Sequence, residues 1–160
     1  MVNNVVKGSV LKAAVSPHSS LAQIFAHHLK AQEAICAELE AIADSLPVSI
    51  NPQMCIQVTR ALLPLIEQAH RFEENQLFPQ LLKIGDPHLD LARTLKRLHA
   101  EHLGDEDYAE ELCSAISSYL ADADHSKAEN LGWMLRGFFE SERRHIAFER
   151  EYILPLVNKL

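Results

Sequence analysis

Glycine is scarce in this chain, with five residues among 160 and no two adjacent. That excludes a Gly-rich phosphate loop or a dinucleotide-binding fingerprint, both of which need clustered glycines. No Ser–His–Asp arrangement is visible either. Runs of β-branched residues are short, which argues against a sheet protein. No apolar run approaches the roughly 18 residues of a membrane span. The opening "MVNNVVKGSVLKAAV" is interrupted by Lys7 and Lys12 and lacks the long apolar centre of a signal peptide. Basic charge is not in excess: the formal net charge is −7, with acidic residues spread along the chain, so no footprint for a nucleic acid is present. Cysteine is limited to Cys36, Cys55 and Cys113, an odd number, far apart and without a CxxC pair. That pattern fits buried thiols in a reducing compartment, and the cytoplasm is the expected location.

What is present is apolar periodicity. Apolar residues make up 48% of the chain, enough for one core at this length. They recur at three- and four-residue steps over long stretches, the helix signal. Breakers at "SLPVSINPQ" (45–53), "IGDPH" (84–88) and "ADADHSK" (121–127) leave four helices, over 18–46, 53–84, 88–121 and 126–158. Each is on the order of 45 Å long at 1.5 Å per residue. Short connections between long helices predict an all-α, antiparallel up-down-up-down four-helix bundle over residues 18–160, preceded by an arm at 1–17. Pro64 is expected to kink or break the second helix, and Pro79 and Pro155 to do the same near helix ends.

The other abundance is histidine, nine residues in all. On helical wheels His28, His70, His102 and His145 each fall on the apolar stripe of a different helix. Their offsets from the turns agree pairwise to within about one residue, so in an antiparallel bundle all four reach one level. A buried imidazole cluster without a ligand would strand several polar nitrogens, and a metal site satisfies them.

Two short segments repeat a pattern: "HRFEENQLFP" (70–79) and "HIAFEREYILP" (145–155). Glu74 and Glu149 stand four residues after His70 and His145, on the same helix faces. With both carboxylates bridging, the six residues His28, His70, Glu74, His102, His145 and Glu149 would give each of two metals two nitrogens and two oxygens. Mixed imidazole and carboxylate ligation suits iron or manganese. A single zinc would leave ligands unused. A rival set exists: "EQAH" (67–70) and "ERRH" (142–145) are Glu-x-x-His pairs like those of ferritin-like di-iron bundles. That set needs a Glu from each of the other helices, which instead offer His28 and His102, with Gln32 and Glu106 one turn away. Glu67 and Glu142 then read either as acceptors for ring N–H groups or as the polar flank of the stripe. A metal-free interaction bundle is the third reading.

The ordered set "AHHLKAQEAI", "HRFEENQLFP", "LHAEHLGDEDY" and "HIAFEREYILP" resembles the hemerythrin-like, HHE cation-binding family over residues 18–158. The resemblance implies a non-haem di-iron site held by the six residues above, with two iron ions bridged by oxo or hydroxo; manganese or zinc are the alternatives. It implies binding or sensing of a diatomic ligand or peroxide (O₂, NO), or handling of iron itself, and leaves open whether the site turns anything over. Oxygen-carrying members have a fifth histidine four residues from the third-helix ligand; here the nearest is His99, three residues before His102. The histidine spacing is closer to that of iron–sulfur-cluster repair proteins, whose cysteine-bearing N-terminal domain has no counterpart before Cys36. Tyr152, on the last stripe, reads as core or as a gate to the site. Cys113 reads as packing, and Trp133, Phe138 and Phe139 as core or partner surface. His18, His88 and His125 are expected to face solvent.

Overall fold

The computed structural model describes residues 20–122 and 125–160. The arm expected at 1–17, His18, part of the 121–127 turn and the side chain of His125 lie outside the described residues. The elements are α1 (Leu21–Ser45), α2 (Pro52–Phe72), a π-helical turn (Glu73–Leu77), α3 (Phe78–Ile84), α4 (Leu91–Asp122), a 3₁₀ turn (His125–Lys127), α5 (Ala128–Phe148), a second π-helical turn (Glu149–Ile153) and α6 (Leu154–Val157). The π turns are continuous with the α-helices on either side, so α2–α3 and α5–α6 each form one long rod. The four rods are the four predicted helices, and no strand occurs among the described residues.

Local chemistry sets the rod ends. Ser20 opens α1 with a capping box: its Oγ accepts from the Gln23 N–H at 3.2 Å, and Gln23 Oε1 accepts from the Ser20 N–H at 2.9 Å. Asn51 Oδ1 accepts from the Gln53 and Met54 N–H groups, and Pro52 follows at the first helical position, where its missing N–H has no intrahelical partner to lose. Gly85 closes α3 with φ of 62°, a left-handed conformation that glycine adopts without a Cβ penalty. Asp90 Oδ1 accepts from the Arg93 N–H at the start of α4.

α1 packs on α5 and α2, and α4 packs on α2 and α5, which closes the rods into a ring around one apolar core. Phe25, Leu29, Leu62, Ile66, Leu98 and Phe138 are among its sealed side chains. Pro64 neither breaks nor ends α2, which is continuous from Pro52 to Phe72. The disturbance falls at the other two prolines. Pro79 and Pro155 have no N–H for the carbonyl four residues back, and their rings crowd it. The chain widens instead: the Phe78 N–H bonds the Glu73 carbonyl and the Leu154 N–H bonds the Glu149 carbonyl, each five residues back. Asn75 Nδ2 donates to the Arg71 carbonyl at 2.9 Å inside the first widened turn.

The extra residue in each π turn advances the helix register. Tyr152, expected on the buried stripe, is 48% exposed and packs against the Phe148 ring, while its neighbour Ile153 is sealed. Of the aromatic trio, Phe138 and Phe139 are core and Trp133 is exposed. The cysteines are free thiols, with Cys36 and Cys55 buried. Burial pushes the Cys36 thiol up to about 12, which makes it inert. No helix among the described residues is long and apolar enough to cross a membrane.

Candidate metal centre

Three rods carry one imidazole each into the bundle interior: His70 from α2, His102 from α4 and His145 from α5. The His70 and His102 rings stack at 3.9 Å between centroids, and His145 lies 5.3 Å from His102 and 6.2 Å from His70. Each ring uses its two nitrogens differently. Nδ1 faces a carboxylate on the outer side: Glu106 at 2.8 Å for His70, Glu74 at 2.8 Å for His102, and Glu101 at 3.2 Å for His145. Nε2 points inward in all three and is buried without a hydrogen-bond partner. A carboxylate that holds the Nδ1 proton fixes the tautomer and directs the Nε2 lone pair at a cation.

Two carboxylates face those nitrogens. Glu73 and Glu149 begin the two π turns and are completely buried. All four of their oxygens lack hydrogen-bond partners. Glu73 Oε2 lies 3.2 Å from His102 Nε2, and Glu149 Oε1 lies 3.3 Å from His145 Nε2; these are close approaches without hydrogen-bond alignment. Two overlapping groups result, each with its donor atoms mutually within 4.8 Å: His70, His102 and His145, and Glu73, His102, His145 and Glu149. Five buried residues with unpartnered donor atoms in one interior fit a metal centre, since few native side chains are left in that state otherwise.

The electrostatics of the cluster fit a cation site. Burial and the neighbouring imidazoles His102 and His145 press His70 down to about 2, and burial first among several causes lowers His102, so both rings are neutral donors. His145 goes the other way, to about 9: burial opposes the charge, but Glu149, Glu142 and Asp105 together outweigh it. Burial and the Glu149 charge raise Glu73 well above the carboxylate range. Burial would raise Glu149 as well, but the His145 partner holds it low. Protons on His145 and Glu73 therefore offset the crowded carboxylates.

Of the residues singled out in sequence, the structure groups His70, His102, His145 and Glu149. Glu74 is placed elsewhere. Glu73, at the end of the regular α2 helix, is sealed in the interior, and Glu74 sits at the rim, where its Oε1 is shared by His102 Nδ1 and, at 2.7 Å, His99 Nδ1. His99 is thus an exposed partner of Glu74, outside both groups. His28 is buried to 9% exposure on α1, against the Phe72 ring at 5.2 Å, and stands outside both groups too. Glu67 is half-buried. Glu142 is sealed, but its partner is Gln32, whose Nε2 donates to Glu142 Oε1 at 3.1 Å, and not a ring N–H. The ring acceptors are Glu101, Glu106 and Glu74. A signal for Glu73 was available: Glu73 and Glu149 each stand six residues before a proline, Pro79 and Pro155, so aligning the repeats on proline instead of histidine pairs them.

The sequence matches the family model described as Hemerythrin HHE cation binding domain over residues 20–157. The chain belongs to that family. No curated protein and no solved structure matches it.

Proposed function

We propose that the chain is a non-haem di-iron protein that binds or senses a small ligand (O₂, NO or peroxide), or handles iron itself, at the centre between its four rods. The observation that carries this reading is the convergence of three inward, unpartnered imidazole Nε2 atoms on two sealed, unpartnered carboxylates. His70, His102, His145, Glu73 and Glu149 would hold the metal, with His28 as the remaining imidazole on the fourth rod. Mixed nitrogen and carboxylate donors favour iron or manganese over a soft-ligand metal. Bound iron would supply an open coordination position and one-electron chemistry.

The chain's own residues do the rest. Glu106, Glu74 and Glu101 hold Nδ1 protons and so set the basicity of each ring. Phe72 and Phe78 cover the His28 and His102 rings and restrict water. The Glu-x-x-His alternative draws less support, because neither metal-competent group contains Glu67 or Glu142.

Metal analysis of protein purified without oxygen, with optical spectra before and after air, tests the reading. About two irons per chain, a spectral change in air and loss of both in His70→Ala are expected. A colourless protein with under about half an iron, or with zinc alone, overturns it. Catalytic turnover of peroxide or NO by the loaded protein would make it an enzyme; a reversible spectral change without turnover would make it a binder.

A further inference from the structure

Gln32 and Glu142 meet across the seam between α1 and α5. Both are completely buried, and Gln32 Nε2 donates to Glu142 Oε1 at 3.1 Å. That bond leaves two oxygens over: Gln32 Oε1 and Glu142 Oε2 are sealed from solvent and have no partner. A buried polar oxygen in that state is costly, and a purely structural pair is expected to satisfy both atoms or to give way to apolar side chains. Neither residue belongs to a metal-competent group. A metal accounts for the unpartnered atoms of His70, Glu73, His102, His145 and Glu149 and leaves these two oxygens without a role.

The pair occupies the layer next to the metal centre. Gln32 stands one turn after His28 on α1, and Glu142 one turn before His145 on α5. The Glu142 charge acts on both His145 and Glu73, so its carboxyl lies within electrostatic reach of the cluster. One turn further from the centre on each helix, Cys36 and Phe138 are sealed apolar core.

The chemistry of the two oxygens selects among small ligands. Gln32 Oε1 is an amide oxygen and can only accept a hydrogen bond. Glu142 Oε2 accepts when its carboxyl is ionised and donates when it is neutral. In either state the pair needs a ligand that brings a proton of its own. O₂ and NO carry none. Hydrogen peroxide carries two, and its oxygens also accept, so it can pair with both atoms in both states. A site built to bond an O–H rejects an analogue that lacks it, because the site's own groups are then stranded.

We infer that Gln32 and Glu142 are the recognition pair for a ligand at the metal centre, and that they select hydrogen peroxide over O₂ and NO. The inference rests on the di-metal reading above and narrows it. Two measurements test it. In the zinc-loaded chain, which cannot be oxidised at the metal, NMR follows the side-chain amide resonances of Gln32 as millimolar hydrogen peroxide is added. A saturable shift in the wild type, lost in Glu142→Leu, is expected. In the iron-loaded, reduced chain without oxygen, stopped-flow absorption follows the reaction with hydrogen peroxide and, separately, with NO. Gln32→Leu and Glu142→Leu are expected to slow the peroxide reaction about tenfold or more, with the NO rate and the iron content unchanged. Glu142→Gln, whose amide oxygen can still accept from Gln32 and whose N–H can donate to the ligand, is expected to stay near the wild-type rate. If a single leucine variant does not fold, the double variant Gln32→Leu/Glu142→Leu, which strands neither group, carries the same expectation. Equal slowing with peroxide and NO, or no slowing and no saturable shift, overturns the pair and assigns its two oxygens to buried water, with the metal centre left standing. A wild-type chain that binds neither iron nor zinc overturns both.

Discussion

The side chain of Glu73 is sealed in the bundle, while that of Glu74, next in the chain, approaches two imidazoles from the rim. The two glutamates are chemically identical, so their different roles can be measured directly. Glu73→Gln removes an inward carboxylate and is expected to abolish stoichiometric metal binding. Glu74→Gln weakens the outer acceptor of His102 and His99 Nδ1 and removes no inward donor, so a loss of about 10–100-fold in affinity is expected. Equilibrium titration with Fe²⁺ or Co²⁺ orders the two, and a larger effect from Glu74→Gln would return the inward role to Glu74. Glu142 supports a second prediction, on the metal-free chain. Burial, against the smaller opposing effect of His145, raises its carboxyl to about 7. A carboxyl raised in the folded state contributes stability fully below its unfolded value, near 4.5, and loses it as pH rises to about 7. A shift of that size corresponds to about 3 kcal/mol. Glu142→Gln keeps a neutral partner for Gln32 and should flatten this dependence, leaving the variant more stable than wild type at pH 8 and similar at pH 4. Urea unfolding at the two values checks it; an unchanged slope between them would show that Glu142 does not carry the titration.

At the scale of elements, the two π turns follow the inward carboxylates. Each widens a rod between Glu73 or Glu149 and the proline six residues on. Deleting the exposed Asn75 should let the first turn close as an α-helix. Helical circular dichroism should persist, because the residues on either side are already helical, while metal affinity should fall about tenfold or more as the segment after Glu73, with the Phe78 ring against His102, loses its register. Unchanged affinity would mean that the widened turn is incidental. The same turns mark the limit of what sequence periodicity reveals. The four rods, their order and the inward faces of His70, His102 and His145 follow from 100°-per-residue wheels, because α2, α4 and α5 are regular up to those residues. Past Glu73 and Glu149 the wheel fails, since a π turn has more than 3.6 residues per turn, which is why Tyr152 projected into the core and lies at the surface. Glu73 and Glu74 stand about 60° and 40° to either side of His70 on the wheel, so periodicity alone does not choose between them. The outer acceptors were hidden for another reason: Glu101 and Glu106 act across to other rods, and only tertiary packing shows which ring each one reaches.

Among the described residues, the bundle interior gathers five side chains, His70, Glu73, His102, His145 and Glu149, whose inward donor atoms no protein partner satisfies. In the metal-free chain protons do part of that work, on His145 at about 9 and on Glu73 by burial against Glu149. A metal needs the same atoms deprotonated, so binding and proton release are linked. Loading at pH 7 is expected to release about two protons per chain, and affinity is expected to climb with pH until His145 deprotonates on its own near 9. The sign is fixed because protons and cations compete for the same lone pairs. A metal at this centre would tie three rods together in the folded chain alone, so metal at 100 times its Kd should add about 2.7 kcal/mol of stability. For a chain of this size that is a rise in melting temperature of about 5–10 °C, removable by chelator. Calorimetric titration in two buffers of different ionisation enthalpy counts the protons, and scanning calorimetry with and without chelator reads the stability. Metal uptake with no proton release, or with no change in melting temperature, would place the ion outside the His70–His102–His145 interior, because no ion can occupy that interior without displacing its protons.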